Sequence, residues 1–228
     1  MPASSLMSRV FPFTILAMIL LQPAFAQTPH ESLLVLSKHD HTLSIVDPAT
    51  LKVIGKAPVG EDPHEVVASS DGKTAYVSIY GGGQFHKLNV IDLIAQKQLA
   101  DIDTGALNGP HGLDFQGGKV WFTAEGAKAI ASYDPAISKI DWIMGTGQNR
   151  THMIYVTPDL KHIYTTNVNA ATVSIWEQTA QVLRPPPARP GGQNGPPPGM
   201  PPGVGGPPRL EWNQTVIPVG PGDEGFDV

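Results

Sequence analysis

The stretch "DPHEVVASSDGKTAYVS", residues 62–78, decides the fold. Its apolar run "HEVVAS" has the length of a strand buried on both faces. Asp71-Gly72 then accepts the positive φ of a tight hairpin. "TAYVSIY" follows, rich in β-branched and aromatic residues, and reads as a second strand. The same phrase returns as "GPHGLDFQGGKVWFT", residues 109–123, and as "RTHMIYVTPDLKHIYTT", residues 150–166. Histidine stands near the start every time.

Working outward, a third strand ends on a carboxylate in every unit. Val46-Asp47, Ile91-Asp92 and Tyr133-Asp134 share this place, and Glu177 takes it in "SIWEQT". The steps between these acidic residues are 45, 42 and 43 residues. A period in the low forties that contains only short β runs defines the blade of a β-propeller. In the second unit "GGGQFHK" reads as a loop, "LNVID" as strand three, and the polar "QKQLADIDTG" as an outer fourth strand. Four such strands cannot bury both faces alone, so the units must stack. The expected fold is all-β: a propeller of four-stranded antiparallel blades with about four units present.

Two regions stand apart. Residues 183–208, "LRPPPARPGGQNGPPPGMPPGVGGPP", are almost all Pro, Gly and polar residues. Such composition builds neither ladder nor core, so a disordered insert is expected between strands three and four of the fourth unit. It suits a passive spacer better than a ligand for a proline-binding groove. At the other end, Arg9 precedes the apolar run Phe11–Leu21 and the small-x-small site Ala24-Phe25-Ala26. A run of about 11 apolar residues is short for a membrane span, which needs about 20. Residues 1–26 therefore read as a cleaved signal peptide and 27–228 as the propeller. Export to the periplasm or the exterior is expected, with no membrane span after cleavage.

Composition narrows the partners. The formal net charge is −5 with 15% charged residues, so nucleic acid and anionic membrane surfaces are disfavoured. The chain has no Cys, which excludes disulfides, thiolate metal sites and a Cys nucleophile. The first unit, residues 33–60, lacks an innermost strand, and "DEGFDV" at 223–228 resembles the start of one. A truncated copy of a longer ring is therefore favoured over a four-bladed ring closed by the last residues.

On "PHEVVASSDGKTAYVS", "THMIYVTPDLKHIYTTNVNAATVSIWE" and "VIDLIAQKQLADIDTG", the chain resembles the secreted YVTN-repeat, or YncE-like, β-propeller family. The resemblance covers most of residues 31–228 apart from the insert. It implies export and a ring that is usually seven-bladed. It implies no single chemistry, because this superfold serves lactonases, lyases and redox subunits.

The histidines carry the functional argument. His64, His111 and His152 each begin an innermost strand, and Glu224 takes that place in "DEGFDV". His39, His41 and His86 lie in loops between strands two and three, which emerge on the same edge of the sheet. The pattern places all six at one axial mouth, with Asp62, Glu65 and Glu125 on its rim and His162 on the opposite face. The expected ligand-binding residues are His64, His111, His152, Glu224, His86 and Glu65. The expected metal ligands are His64, His111 and His152, holding a divalent transition metal.

Three uses of the mouth remain open: a binding or scaffold module for a small molecule or a protein, a metal-assisted lyase or lactonase, and an accessory subunit of a periplasmic redox system. Against all three stands plain repetition, in which a copied imidazole merely hydrogen-bonds a neighbouring blade. "YGGGQ", residues 80–84, lacks the Lys-Ser/Thr of a phosphate loop. Trp121, Trp142 and Trp176 fall on strand positions and are expected to pack blades.

Overall fold

Strand follows strand in the order the repeat requires. A computed structural model describes residues 31–181 and 209–226; the expected signal peptide lies outside the described residues, as does the insert. The first sheet holds β1 (Leu33–Ser37), β2 (Thr42–Val46) and β3 (Val53–Pro58). The second holds β4 (Pro63–Ala68), β5 (Thr74–Ile79), β6 (Lys87–Asp92), and two short pieces, β7 (Lys97–Gln98) and β8 (Ile102–Asp103). The third holds β9 (Pro110–Gln116), β10 (Lys119–Ala124), β11 (Ala129–Asp134) and β12 (Lys139–Gly145). The fourth holds β13 (Thr151–Val156), β14 (His162–Asn167), β15 (Thr172–Gln181) and β16 (Arg209–Pro218). All pairings are antiparallel. Among the described residues the chain is an all-β, propeller-like array of four sheets, the first of three strands.

Period-2 alternation explains why the middle strands read as continuous apolar runs. Ala75, Val77 and Ile79 of β5 pack toward the first sheet, with Leu43, Ala57 and Val59. Tyr76, between them, faces the third sheet and joins Leu88, Val120 and Phe122. On β10, Val120, Phe122 and Ala124 face back to the second sheet, while Trp121 faces forward to Ile154, Val156, Ile163 and Trp176. One strand thus feeds two cores, because side chains alternate across the pleat. The tryptophans pack blades: Trp121 and Trp142 lie 5.4 Å apart between ring centroids, Trp142 and Trp212 5.8 Å.

Two details depart from, or sharpen, the sequence reading. The outer strand expected over "QKQLADIDTG" is broken into β7 and β8, both paired with β6. Asp101, between them, accepts hydrogen bonds from the amides of Asn89 (2.7 Å) and Gln98 (2.8 Å), and this side-chain pairing replaces the ladder. Secondly, β15 and β16 pair from Thr172 with Pro218 out to Gln181 with Arg209. The two strands thus form the strand-three to strand-four hairpin of the fourth unit.

Candidate functional site

A repeated β-bulge aims the three imidazoles. Pro63 pairs with Ile79 but Val66 pairs with Val77, so His64 and Glu65 together oppose Ser78. In the same way His111 and Gly112 oppose Thr123, and His152 and Met153 oppose Thr166. Two residues against one leave an N–H without a ladder partner. A hydroxyl accepts it every time: Glu65 N–H to Ser78 Oγ (3.0 Å), Gly112 N–H to Thr123 Oγ1 (2.9 Å), Met153 N–H to Thr166 Oγ1 (3.1 Å).

The hydroxyls also link one unit to the next. Thr123 donates to the carbonyl of His152 at 2.6 Å, and Thr166 to the carbonyl of Glu224 at 3.3 Å. Glu224 therefore occupies the fourth station of the series, although no strand forms there among the described residues. The backbone agrees: two residues before the station, Asp62, Gly109, Arg150 and Gly222 all have positive φ (54°, 66°, 55° and 84°). Thr123→Val removes both the acceptor and the donor while keeping the shape. It is expected to cost about 1–3 kcal/mol, measured by urea unfolding against wild type.

The side chains so placed converge. The rings of His64 and His111 are 4.4 Å apart between centroids, those of His111 and His152 3.9 Å. A second register position, the residue just after strand two, adds Lys38, Tyr80 and Glu125. The Tyr80 hydroxyl donates to Glu125 Oε2 at 2.6 Å. Burial, together with the hydrogen bond to Glu125, raises the Tyr80 phenol to about 12. His152 Nδ1 lies 2.8 Å from the Glu224 carbonyl oxygen. A carbonyl only accepts, so Nδ1 carries the hydrogen, and in the neutral ring Nε2 offers its lone pair. That Nε2 is 3.7 Å from Glu125 Oε1.

His111 is the anomaly of the site. It is 2% exposed, and neither ring nitrogen has a hydrogen-bond partner; Glu125 Oε1 also lacks one. Burial, reinforced by the neighbouring His152 and His64, drives its pKa down to about 2, so the ring is neutral. Native proteins pair nearly all buried polar groups, and two orphaned imidazole nitrogens, beside a carboxylate oxygen held only by a long 3.5 Å ion pair to Arg150, point to something absent between them. One ligand atom from each of His111, Glu125 and His152 lies within 4.8 Å of the others. This buried His–Glu–His group can bind a metal ion. Coordination at about 2.0–2.1 Å in a tetrahedron brings donors to roughly 3.4 Å, so binding would draw the three together.

The donor set differs from the expected triad of His64, His111 and His152. His64 stands beside it, with Nε2 accepting from Lys38 Nζ at 2.6 Å, and Asp62 3.5 Å from both groups. Burial and the Lys38 charge lower the His64 pKa. Glu125 takes its place because it follows strand two of the blade that carries His111. Glu224 contributes its carbonyl to His152 and its carboxylate to Arg150 Nη1 at 3.5 Å.

The remaining expected residues stay outside. His86 pairs with exposed Asp103 at 2.9 Å, because the loop before it makes one 3-10 turn and carries the ring toward β8. Glu65 is half-buried, its pKa raised by burial, and it belongs to no donor group among the described residues. His39 and His41 are exposed. Sequence reasoning passed over Tyr80, Arg150 and Lys38. The signal was the register: each occupies a fixed offset from a strand end that recurs in the neighbouring unit.

His111 also sets a pH dependence. Above about pH 6.5 the ring is neutral whether the chain is folded or not; below it, only the unfolded chain takes up the proton. Stability is therefore lost as pH falls from about 6.5 toward 2. Between pH 7 and 5.5 the metal-free wild type is expected to lose about 1 kcal/mol more than His111→Leu. Urea unfolding of both chains at the two pH values checks this.

No protein-family model matches the sequence, and no curated protein matches it. Among solved structures the chain is similar to Kuenenia stuttgartiensis hydrazine synthase, at 16% identity and a TM-score of 0.53, over 82% of this chain and 59% of that one. It is also similar to a functionally unknown protein from Desulfotomaculum acetoxidans DSM 771, at 13% identity and a TM-score of 0.57, over 82% and 53%. The chain spans less than two thirds of either structure, and at these identities the likeness concerns the fold alone. Fold and site together define a β-propeller with a buried His–Glu–His group able to hold a metal.

Proposed function

We propose that this chain is an exported β-propeller binding module of the YVTN-repeat kind, acting in the periplasm or outside the cell. Its ligand at the His rim is a divalent transition metal, held by His111 and His152 with Glu125. The observation that carries the reading is His111: buried, neutral and without a partner on either nitrogen, next to a Glu125 oxygen that makes no hydrogen bond. Mere repetition of a structural histidine leaves those atoms unexplained, because a packing imidazole would find a backbone group. The Glu224 carbonyl on His152 Nδ1 is the orienting contact that metal-bound imidazoles usually have.

The test is metal content and affinity. Wild type, dialysed against Zn²⁺ and then buffer, is expected to retain one equivalent. The double variant His111→Ala, His152→Ala should retain none, and His64→Ala should retain the wild-type amount. Equal retention in wild type and the double variant, or none in wild type, would overturn the assignment. Mass spectrometry of the exported chain tests removal of residues 1–26.

Three protein donors leave one coordination position for water or an outside group, which is the pattern of catalytic rather than closed structural zinc. That observation favours the metal-assisted lyase or lactonase as the second reading. Turnover of a lactone and ester panel by the loaded protein, lost in the double variant, tests it.

A further inference from the structure

Beside the donor group lies a second feature that the metal alone does not use. A pocket of about 240 Å³ opens over Tyr80 and Glu125 and is otherwise lined by Gly83, Asn149, Arg150 and Asn169 among others. Tyr80 and Glu125 thus belong both to this pocket and to the centre: one carboxylate oxygen faces the donor group and the other takes the Tyr80 hydroxyl. Arg150 is the cation of the pocket. Its Nε is 3.5 Å from Glu125 Oε1 and its Nη1 3.5 Å from Glu224 Oε1, both longer than charge-assisted hydrogen bonds of about 2.7–2.9 Å. The guanidinium is balanced by two carboxylates without being tightly held by either.

The backbone under Arg150 is informative. Gly109 and Gly222 occupy the same register with φ of 66° and 84°, and Arg150 has φ of 55°. A left-handed conformation costs a residue with a Cβ about 1–2 kcal/mol. Asp62, at the same register in the second unit, shares the conformation with φ of 54°, so it belongs to the repeated turn, and the turn sets the direction in which the residue there projects.

We propose that this pocket is an oxyanion subsite, in which Arg150, helped by the amides of Asn149 and Asn169, binds a carboxylate or phosphate group beside the metal. The inference rests on the metal reading above and deepens it by naming the chemistry of the metal's outside ligand. A planar guanidinium fork matches two oxygens of one anion. The coupling has a definite sign. In the metal-free chain, Glu125 partly neutralises Arg150. When the metal engages Glu125, that carboxylate charge is drawn away and Arg150 is released for an anion. Metal therefore strengthens anion binding, and by linkage the anion strengthens metal binding by the same factor.

The experiment uses the full chain, loaded with Co²⁺ and metal-free, titrated calorimetrically with sodium acetate and, separately, inorganic phosphate. Co²⁺ uptake is read first from visible absorption. At least one anion is expected to bind the loaded chain, about tenfold or more tighter than the metal-free one. Arg150→Gly, which restores the residue found at Gly109 and Gly222, should fold and bind Co²⁺ at least as tightly, since a cation beside Glu125 is gone. It should weaken the anion tenfold or more, and Arg150→Lys should fall between. Binding of acetate alone assigns a carboxylate ligand, and binding of phosphate alone a phosphate ester. Co²⁺ uptake with equal anion affinity in wild type and Arg150→Gly, or with no anion bound, overturns the subsite and leaves the metal centre standing. A chain that takes up no Co²⁺ overturns both.

Discussion

His111→Leu is expected to make the metal-free chain more stable by about 1–2 kcal/mol at pH 7, and to weaken Zn²⁺ binding by at least about 100-fold. The two effects share one cause. In the metal-free chain both imidazole nitrogens are buried without partners, so their desolvation is uncompensated. An apolar side chain of similar volume removes that cost and keeps the packing. The same change deletes one of three donors, and loss of an orienting partner alone lowers metal affinity by about 10–100-fold. Thermal or urea unfolding, with and without excess Zn²⁺, reads both at once. Wild type should gain stability on adding metal, and His111→Leu should not. A variant less stable than wild type in the absence of metal would show that the imidazole is a satisfied structural group, and the metal reading would lose its main support.

Phe122→Ala is expected to cost about 3–5 kcal/mol, the range for emptying a large aromatic from a closed core. Phe122 is 0% exposed and sits where the second and third sheets meet, with Tyr76, Leu88, Val120 and Ala124 in the same cluster. Four stacked blades have few interfaces, so a cavity in one is shared by two sheets and cannot collapse without shifting both. Urea unfolding gives the value, and Phe122→Leu, which leaves a smaller void, should cost less. A loss below about 1 kcal/mol would mean that the sheets do not rely on this contact.

The site depends on an equally close approach one interface further on. A Cβ on Gly112 would meet the His152 carbonyl oxygen and lie 2.7 Å from Met153 Cα. Gly112→Ala must therefore push β9 and β13 apart, the two strands that carry His111 and His152. Overpacking of this kind costs about 1–3 kcal/mol. It should also widen the gap between donors, so Zn²⁺ affinity falls together with stability when both are measured on the one variant.

Much of the fold was legible because it is local. The Asp71-Gly72 turn, the alternation in "TAYVSIY" and the repeated acidic residue after strand three each report on neighbours a few positions apart. The period of the low forties then carried those local rules around the array. The break between β7 and β8 was not legible, since it arises from the carboxylate of Asp101 reaching Asn89 on β6.

The placement of histidine at the start of each inner strand was determined by the chain alone. So was the presence, at the last position but one of strand two, of Ser78, Thr123 and Thr166, the hydroxyls that complete the bulge. Which imidazoles form a donor group was decided only by the tertiary structure. Glu125 and not His64 completes the group, while His64 Nε2 accepts from Lys38, 26 residues upstream. His86 leaves the site because its loop turns toward β8, and Tyr80 enters because its hydroxyl reaches Glu125 across a blade boundary, 45 residues away in sequence. Turn and strand preferences act over a few bonds. A metal site depends on distances between separate blades, which backbone bulges and close glycine contacts set to within an ångström.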